Sequence, residues 1–286
     1  MAKEHRQGSV YLLVLLVMIS SMTLVAGLQN VLLRRTKTLE QVHIQQKLHN
    51  TLLLGLEESA RLLLEDDDLA VDGLTDEWAQ PFEFTSTEEV YLQVVLEDAQ
   101  RRLNLNHLSL PLRANMPRIW MDIFADLVRN AELEVSPQIF TMLQNEVDLY
   151  EIWFEDPEML KLLVPNGELL LAVSDSLCAL PRPESRPLLL NINTVQPEVL
   201  EALVGDSLQG WVDNVLIARE TEPLRNLSGV LQLLPAQIQP LLLSVLDVRS
   251  EYFTAHLVAR LDQSEQTLTA LLKRSEGNVE VLRCRW

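Results

Sequence analysis

No charged residue interrupts the chain between Gln7 and Leu33, and from Val10 to Leu28 (VYLLVLLVMISSMTLVAGL) only Ser20, Ser21 and Thr23 are polar. At about 1.5 Å of rise per residue, some 20 such residues cross the hydrocarbon core of a bilayer. The run exceeds the about 7–15 apolar residues of a cleaved secretory signal, and a helix apolar on every side sits in lipid rather than in a soluble core. A retained membrane span is therefore expected. Beyond it Leu39, Val42, Leu48, Leu52, Leu56, Ala60 and Leu63 or Leu64 recur at helical spacing among Glu, Gln, Lys and Arg, which predicts one apolar stripe. A single helix from Ser9 to about Glu65, roughly 85 Å long, follows from this pattern, with its first half in lipid and its second packed on a head. Asp66, Asp67 and Asp68 end it, since negative charge is unfavourable at a helix C-terminus.

The period then changes. Val90 to Leu96 alternates, as does Arg102-Leu103-Asn104-Leu105-Asn106, which predicts strands. From Ser109 to about Val245 the spacing is helical, in Ile119, Ile123 and Leu127, in Ile139, Leu143 and Val147, and in Val212 and Leu216, cut by twelve prolines from Pro111 to Pro240 into short helices. Tyr252–Leu261, Gln266–Lys273 and Asn278–Trp286 alternate again, joined by turn residues, and predict an antiparallel meander. Strands on both sides of an all-helical insert make an α+β chain.

Charge sharpens this division. The formal net charge is −18, yet Lys3, Arg6, Arg34, Arg35 and Lys37 outnumber Glu4 in residues 1–37, so the remainder carries −22 by difference. A body so acidic repels polyanions, which argues against nucleic-acid binding. Basic residues flank the apolar run on both sides, so the positive-inside rule alone leaves its orientation open. The acidic segment after it fails as a calcium loop: with Asp68 first, Asp72 and Gly73 fit positions 5 and 6, but Ala70 and Ala79 occupy positions 3 and 12. It reads as a solvated acidic linker. His5, His43, His49, His107 and His256 have no metal-site spacing. Without a nucleophile elbow, P-loop or paired-carboxylate motif, no enzyme is expected. Cys178 and Cys284 could pair in an oxidising compartment but lie in different predicted subdomains.

Arg6-Gln7-Gly8-Ser9-Val10-Tyr11-Leu12-Leu13, a short basic leader with a Gly before an apolar helix, resembles a prepilin leader. The resemblance implies cleavage by the prepilin peptidase after Gly8 and N-methylation of Ser9 as the first mature residue. Most pilins have Glu at the fifth mature position, where this chain has Leu13. The elements Asp76-Glu77-Trp78-Ala79-Gln80-Pro81, Glu97-Asp98-Ala99-Gln100, Leu103-Asn104-Leu105-Asn106, Asp247-Val248-Arg249-Ser250-Glu251-Tyr252-Phe253 and Gly277-Asn278-Val279-Glu280-Val281-Leu282 then resemble the blocks of protein K of the general secretion pathway, the large minor pseudopilins of type II secretion, which also lack that Glu.

That family implies a pilin-like α+β fold with a long N-terminal transmembrane and stem helix, an antiparallel sheet and a large all-helical insert. The expected division is a leader at 1–8, the transmembrane and stem helix at 9–65, a sheet domain from 66–108 and 247–286, and the insert at 109–246. It implies an inner-membrane, single-pass protein, cytoplasmic at its N-terminus and periplasmic in bulk, that caps a pseudopilus and helps start its assembly. Implied partners are minor pseudopilins I and J, the prepilin peptidase, the inner-membrane secretion platform and, as a further class, secreted substrates, with no nucleic acid. No cofactor is expected beyond the calcium that the family's insert can bind, whose ligands are not assignable here because the Tyr-Arg-then-Asn motif is reduced to Arg113-Ala114-Asn115. The rival readings are a minor pilin of a type IV pilus and a DNA-uptake protein. The latter arises because Leu190-Asn191-Ile192-Asn193-Thr194, with Thr194 as a helix cap, then Pro197 and Trp211 to Val230, also resembles a helix-hairpin-helix. Asp206 in its connection and only Arg219 and Arg225 nearby weigh against phosphate binding.

Overall fold

In the computed structural model, which describes residues 4–66, 68–108, 119–131, 140–143, 145–146, 153–163, 172–181 and 188–286, helix α1 runs unbroken from Glu4 to Leu64. Every residue from Tyr11 to His43 is exposed. Only the last five turns meet the head, where Leu48, Leu52, Leu56 and Leu63 are buried. Each contributes roughly 1.5–3 kcal/mol by leaving water. The stripe is shorter than its sequence period suggests, because Leu39 and Val42 project beyond the sheet and Ala60 is half-buried.

Under the helix lies a five-stranded antiparallel sheet in the order β1-β2-β7-β8-β9, with β1 Phe82–Thr85, β2 Tyr91–Asp98, β7 Tyr252–Leu261, β8 Ser264–Ser275 and β9 Asn278–Arg285. The period of two directs Leu92, Val94 and Leu96 of β2 toward α1, in register with Ala259, Leu257 and Ala255 of β7. Those face Gln266, Leu268 and Ala270 of β8. The alanines leave room for the helix, and Gly55 brings it closest: a Cβ there would sit 2.4 Å from Leu92 Cδ2 and 2.8 Å from Leu257 Cδ2. Central neighbours β2 and β7 are joined through the whole insert, so the sheet closes only when the insert returns the chain to Tyr252.

The insert packs a separate core. Helix α2 (Ile119–Asn130) buries Ile123, Phe124, Leu127 and Val128 and packs on helix α3 (Pro197–Val204), which in turn packs on α4 (Gln209–Thr221). Short one-turn helices follow at Ser228–Leu231 and Gln239–Leu243.

Three expectations need correction, and one strand is new. The insert is not all-helical: β4 (Leu177–Cys178) pairs in parallel with β3 (Leu103–Asn104), and β5 (Leu190–Asn191) with β6 (Leu246–Asp247). The alternation at 102–106 gives only the two residues of β3 and then a 3-10 turn, Leu105–His107, because both faces of that segment are buried. Thr194 does not cap α3; Gln196 holds the N-cap position without a side-chain capping bond, and Thr194 turns inward. Finally, β1 had no separate sequence signal. Cys178 is buried, Cys284 is exposed and both are free. Asp67, Arg113-Ala114-Asn115, Ile139 and Val147 lie outside the described residues.

Candidate functional site

The processing residues Gly8 and Ser9 lie in the first turns of α1, which starts at Glu4 and carries straight on into the exposed apolar segment. Leu13 projects from its surface, 65% exposed. The polar side chains of this segment do not break the apolar cylinder. Ser20 and Ser21 hydroxyls donate to the carbonyls of Leu16 and Val17, each at 2.8 Å, and Thr23 donates to Ser20 O. Such back-bonding satisfies the hydroxyls within the helix, as an apolar surrounding requires. With 0% of its apolar window covered, this helix has the length and composition to cross a membrane once.

Where the stem meets the head, a buried polar junction joins segments far apart in sequence. Asp98, at the end of β2, accepts from Ser250 Oγ at 2.5 Å, from Asn191 Nδ2 at 3.2 Å, from the Thr194 hydroxyl, and from the Gln100 amide at 2.7 Å. Asp72 accepts from Ser250 N–H at 2.7 Å and receives Arg274 Nη2 at 2.5 Å from both its oxygens. Arg274 Nη1 reaches Asp66 at 3.3 Å, and its Nη2 also donates to Ser250 O. Gln100 completes the junction by donating to Leu189 O while accepting from Glu251 and Tyr252 N–H. Linker, sheet and insert are thus held by one network. Burial pushes the Asp72 carboxyl up to about 7, against the opposing pull of Arg274 and Ser250, and pushes Asp98 up as well against its hydroxyl and amide donors.

Asp66, Asp72 and Asp76 bring carboxylate oxygens within 4.8 Å of one another, a donor set of the kind calcium takes. The set does not fit an ion, because the fully buried Arg274 guanidinium already lies on Asp72 and Asp66, and Asp76 is engaged by Gly73 N–H at 2.7 Å and Trp78 Nε1 at 3.1 Å. The acidic segment is therefore no simple solvated linker. Sequence reading missed the pairing of Asp72 with Arg274 because they are 202 positions apart.

The hairpin of α3 and α4 turns through Gly205, whose φ of +75° a side chain would strain. Its one buried base, Arg219, points inward and donates to Ile192 O at 3.0 Å and Val195 O at 2.7 Å. Arg225 pairs with Asp68 at 3.0 Å. Arg219 is thus withdrawn from solvent, and Arg225, though exposed, is neutralised by its carboxylate partner.

No family model matches the chain. It is 26% identical to type II secretion system protein K of Aeromonas hydrophila, over 97% of this chain and 96% of that protein. In fold it is similar to a chain of the crystal structure of the GspK-GspI-GspJ complex of the type II secretion system of enterotoxigenic Escherichia coli, with a TM-score of 0.66 and 20% identity, covering 86% of this chain and 98% of that one.

Proposed function

We propose that the chain is a minor pseudopilin of the protein K family of type II secretion, a reading its similarity to protein K of Aeromonas hydrophila supports, and that it caps the tip of a periplasmic pseudopilus and helps start its assembly. The observation that carries this reading is the union of a bare apolar helix with a head much wider than its stem. An insert of roughly 140 residues has a diameter near 37 Å, whereas packed helices sit about 8–10 Å apart. Such a head cannot repeat along a tight stack of stems, but it fits at the end of one. Leu13 agrees with this. In the assembly logic of pilins the fifth-position Glu neutralises the terminal amine of a subunit already in place, and a first subunit has no predecessor to neutralise.

The peptidase cuts between Gly8 and Ser9 on the cytoplasmic side, Ser9 is methylated, and the head lies in the periplasm. The role is structural rather than catalytic: the most buried carboxylates, Asp72 and Asp98, are taken up by hydrogen bonds that join segments. Minor pseudopilins I and J are the partners, and the inward turn of Arg219 supports a hairpin that serves packing rather than nucleic acid.

Two measurements test this. The intact mass of membrane-extracted protein should correspond to a chain starting at methylated Ser9; a terminus at Met1, or a cut after Ala26 or Gly27, would overturn the processing. The head should co-purify with I and J at one copy each, and gold label should mark one end of the filament. Label along the shaft would refute the tip assignment.

A further inference from the structure

Arg34, Arg35 and Lys37 close the apolar run, all three exposed, and none of their side chains makes an ion pair or hydrogen bond among the described residues. Their hydroxyl neighbours do not share in this outward polarity, because Thr36 and Thr38 donate back to Leu32 O and Arg34 O at 3.0 Å. The continuous helix fixes the height of the three bases. From Tyr11 to Leu33 it rises about 33 Å, enough to cross a hydrocarbon core of about 30 Å, so the bases emerge at the phosphate layer. The first stem residue packed on the head is Ile44, about 10 Å beyond Lys37 along the axis. That exceeds the Debye length of about 8 Å at physiological salt, so the acidic head does not neutralise them.

The directions of the three side chains select the counter-charge. At about 100° per residue, Lys37, Arg34 and Arg35 spread over roughly 160° of the circumference, wider than the about 100° that one packed neighbour covers. A layer of lipid headgroups surrounds the helix and meets all three.

We propose that Arg34, Arg35 and Lys37 form a collar that binds the phosphates of anionic phospholipids in the leaflet from which the head emerges, setting the depth of the helix and resisting its withdrawal. This rests on the reading of α1 as a membrane span.

The test uses the full chain in nanodiscs of phosphatidylcholine doped with phosphatidylglycerol, with spin-labelled forms of both lipids reporting their relative association by electron paramagnetic resonance. Phosphatidylglycerol should be preferred about fivefold or more at low salt, with the preference falling toward unity in Arg34→Gln/Arg35→Gln/Lys37→Gln and in high salt. No preference in the parent, or one unchanged in the variant, would overturn the collar. So would a preference for an acidic protein, seen as protection of the three side chains only after pseudopilins I and J are added. A nitroxide at Leu24 separates failure of the underlying reading: accessibility to aqueous nickel chelate rather than to dissolved oxygen would show that the helix does not span, whatever the lipid preference.

Discussion

Between α1 and the sheet, one kind of contact repeats: Leu48, Leu52, Leu56 and Leu63 descend onto alternate residues of β2, β7 and β8, and the backbone polar groups are paired by helix and ladder. Among its described residues the insert has no such lattice. Its short helices and loops are tied by buried amides, with Asn106 Nδ2 donating to Phe154 O and Leu180 O at 2.8 Å and its Oδ1 accepting from Phe154 N–H at 2.7 Å. Asn193 clasps Leu224 in the same two-way fashion. The difference teaches that regular structure satisfies its own backbone, whereas a core of irregular connections requires side chains to do so. The two cores meet at the junction of Asp72, Asp98, Ser250 and Arg274, so their stabilities are linked there.

Arg274→Met should break that comparison most severely. Removing the guanidinium leaves Asp72 buried without its cation, which costs about 3–5 kcal/mol, and both cores should lose hydrogen-exchange protection together. Loss confined to the sheet would show that the cores are independent.

The next effect sharpens the contrast through pH. Asp72 titrates at about 7 in the fold, against about 4 in an unfolded chain, so between these values the folded state holds a proton that the unfolded chain has released, and stability falls as pH rises. His107 in the insert has the opposite sign. Its Nε2 accepts from Leu188 N–H at 3.2 Å, its ring lies against Trp120, and burial pushes it down to about 3. From pH 6.5 down to about 3 the unfolded chain takes up a proton that the fold refuses, so stability falls as pH drops. Relative to the parent, Asp72→Asn should gain roughly 3 kcal/mol between pH 4 and 7, and His107→Phe should gain a similar amount as pH falls from 6.5 to 4. Urea midpoints across that range check both signs.

Smallest is a pair of glycine substitutions. Gly55→Ala forces a methyl into Leu92 and Leu257 and should cost about 1–2 kcal/mol in the sheet core. Gly210→Ala in α4 meets nothing within 4 Å and should be neutral or stabilising by up to about 1 kcal/mol. Thermal unfolding of the two variants measures how much tighter the sheet core is.

What could be read in the chain follows the same division. Leu92, Val94, Leu96 and the runs after Tyr252 announce strands because a surface buried on one face imposes a period of two, and the unbroken apolar stretch to Leu33 announces its helix because lipid accepts no other arrangement of backbone. The apolar span and Leu13 within it are likewise local features of the chain. Tertiary structure alone decided that Leu39 and Val42 stay exposed, that 103–108 is buried on both faces and so loses its alternation, and that Thr194 turns to Asp98 rather than capping α3. It alone brought Arg274 onto Asp72, across 202 positions. Periodicity records whether a residue faces a core, and nothing in it records which distant carboxylate will need a guanidinium once both have left water.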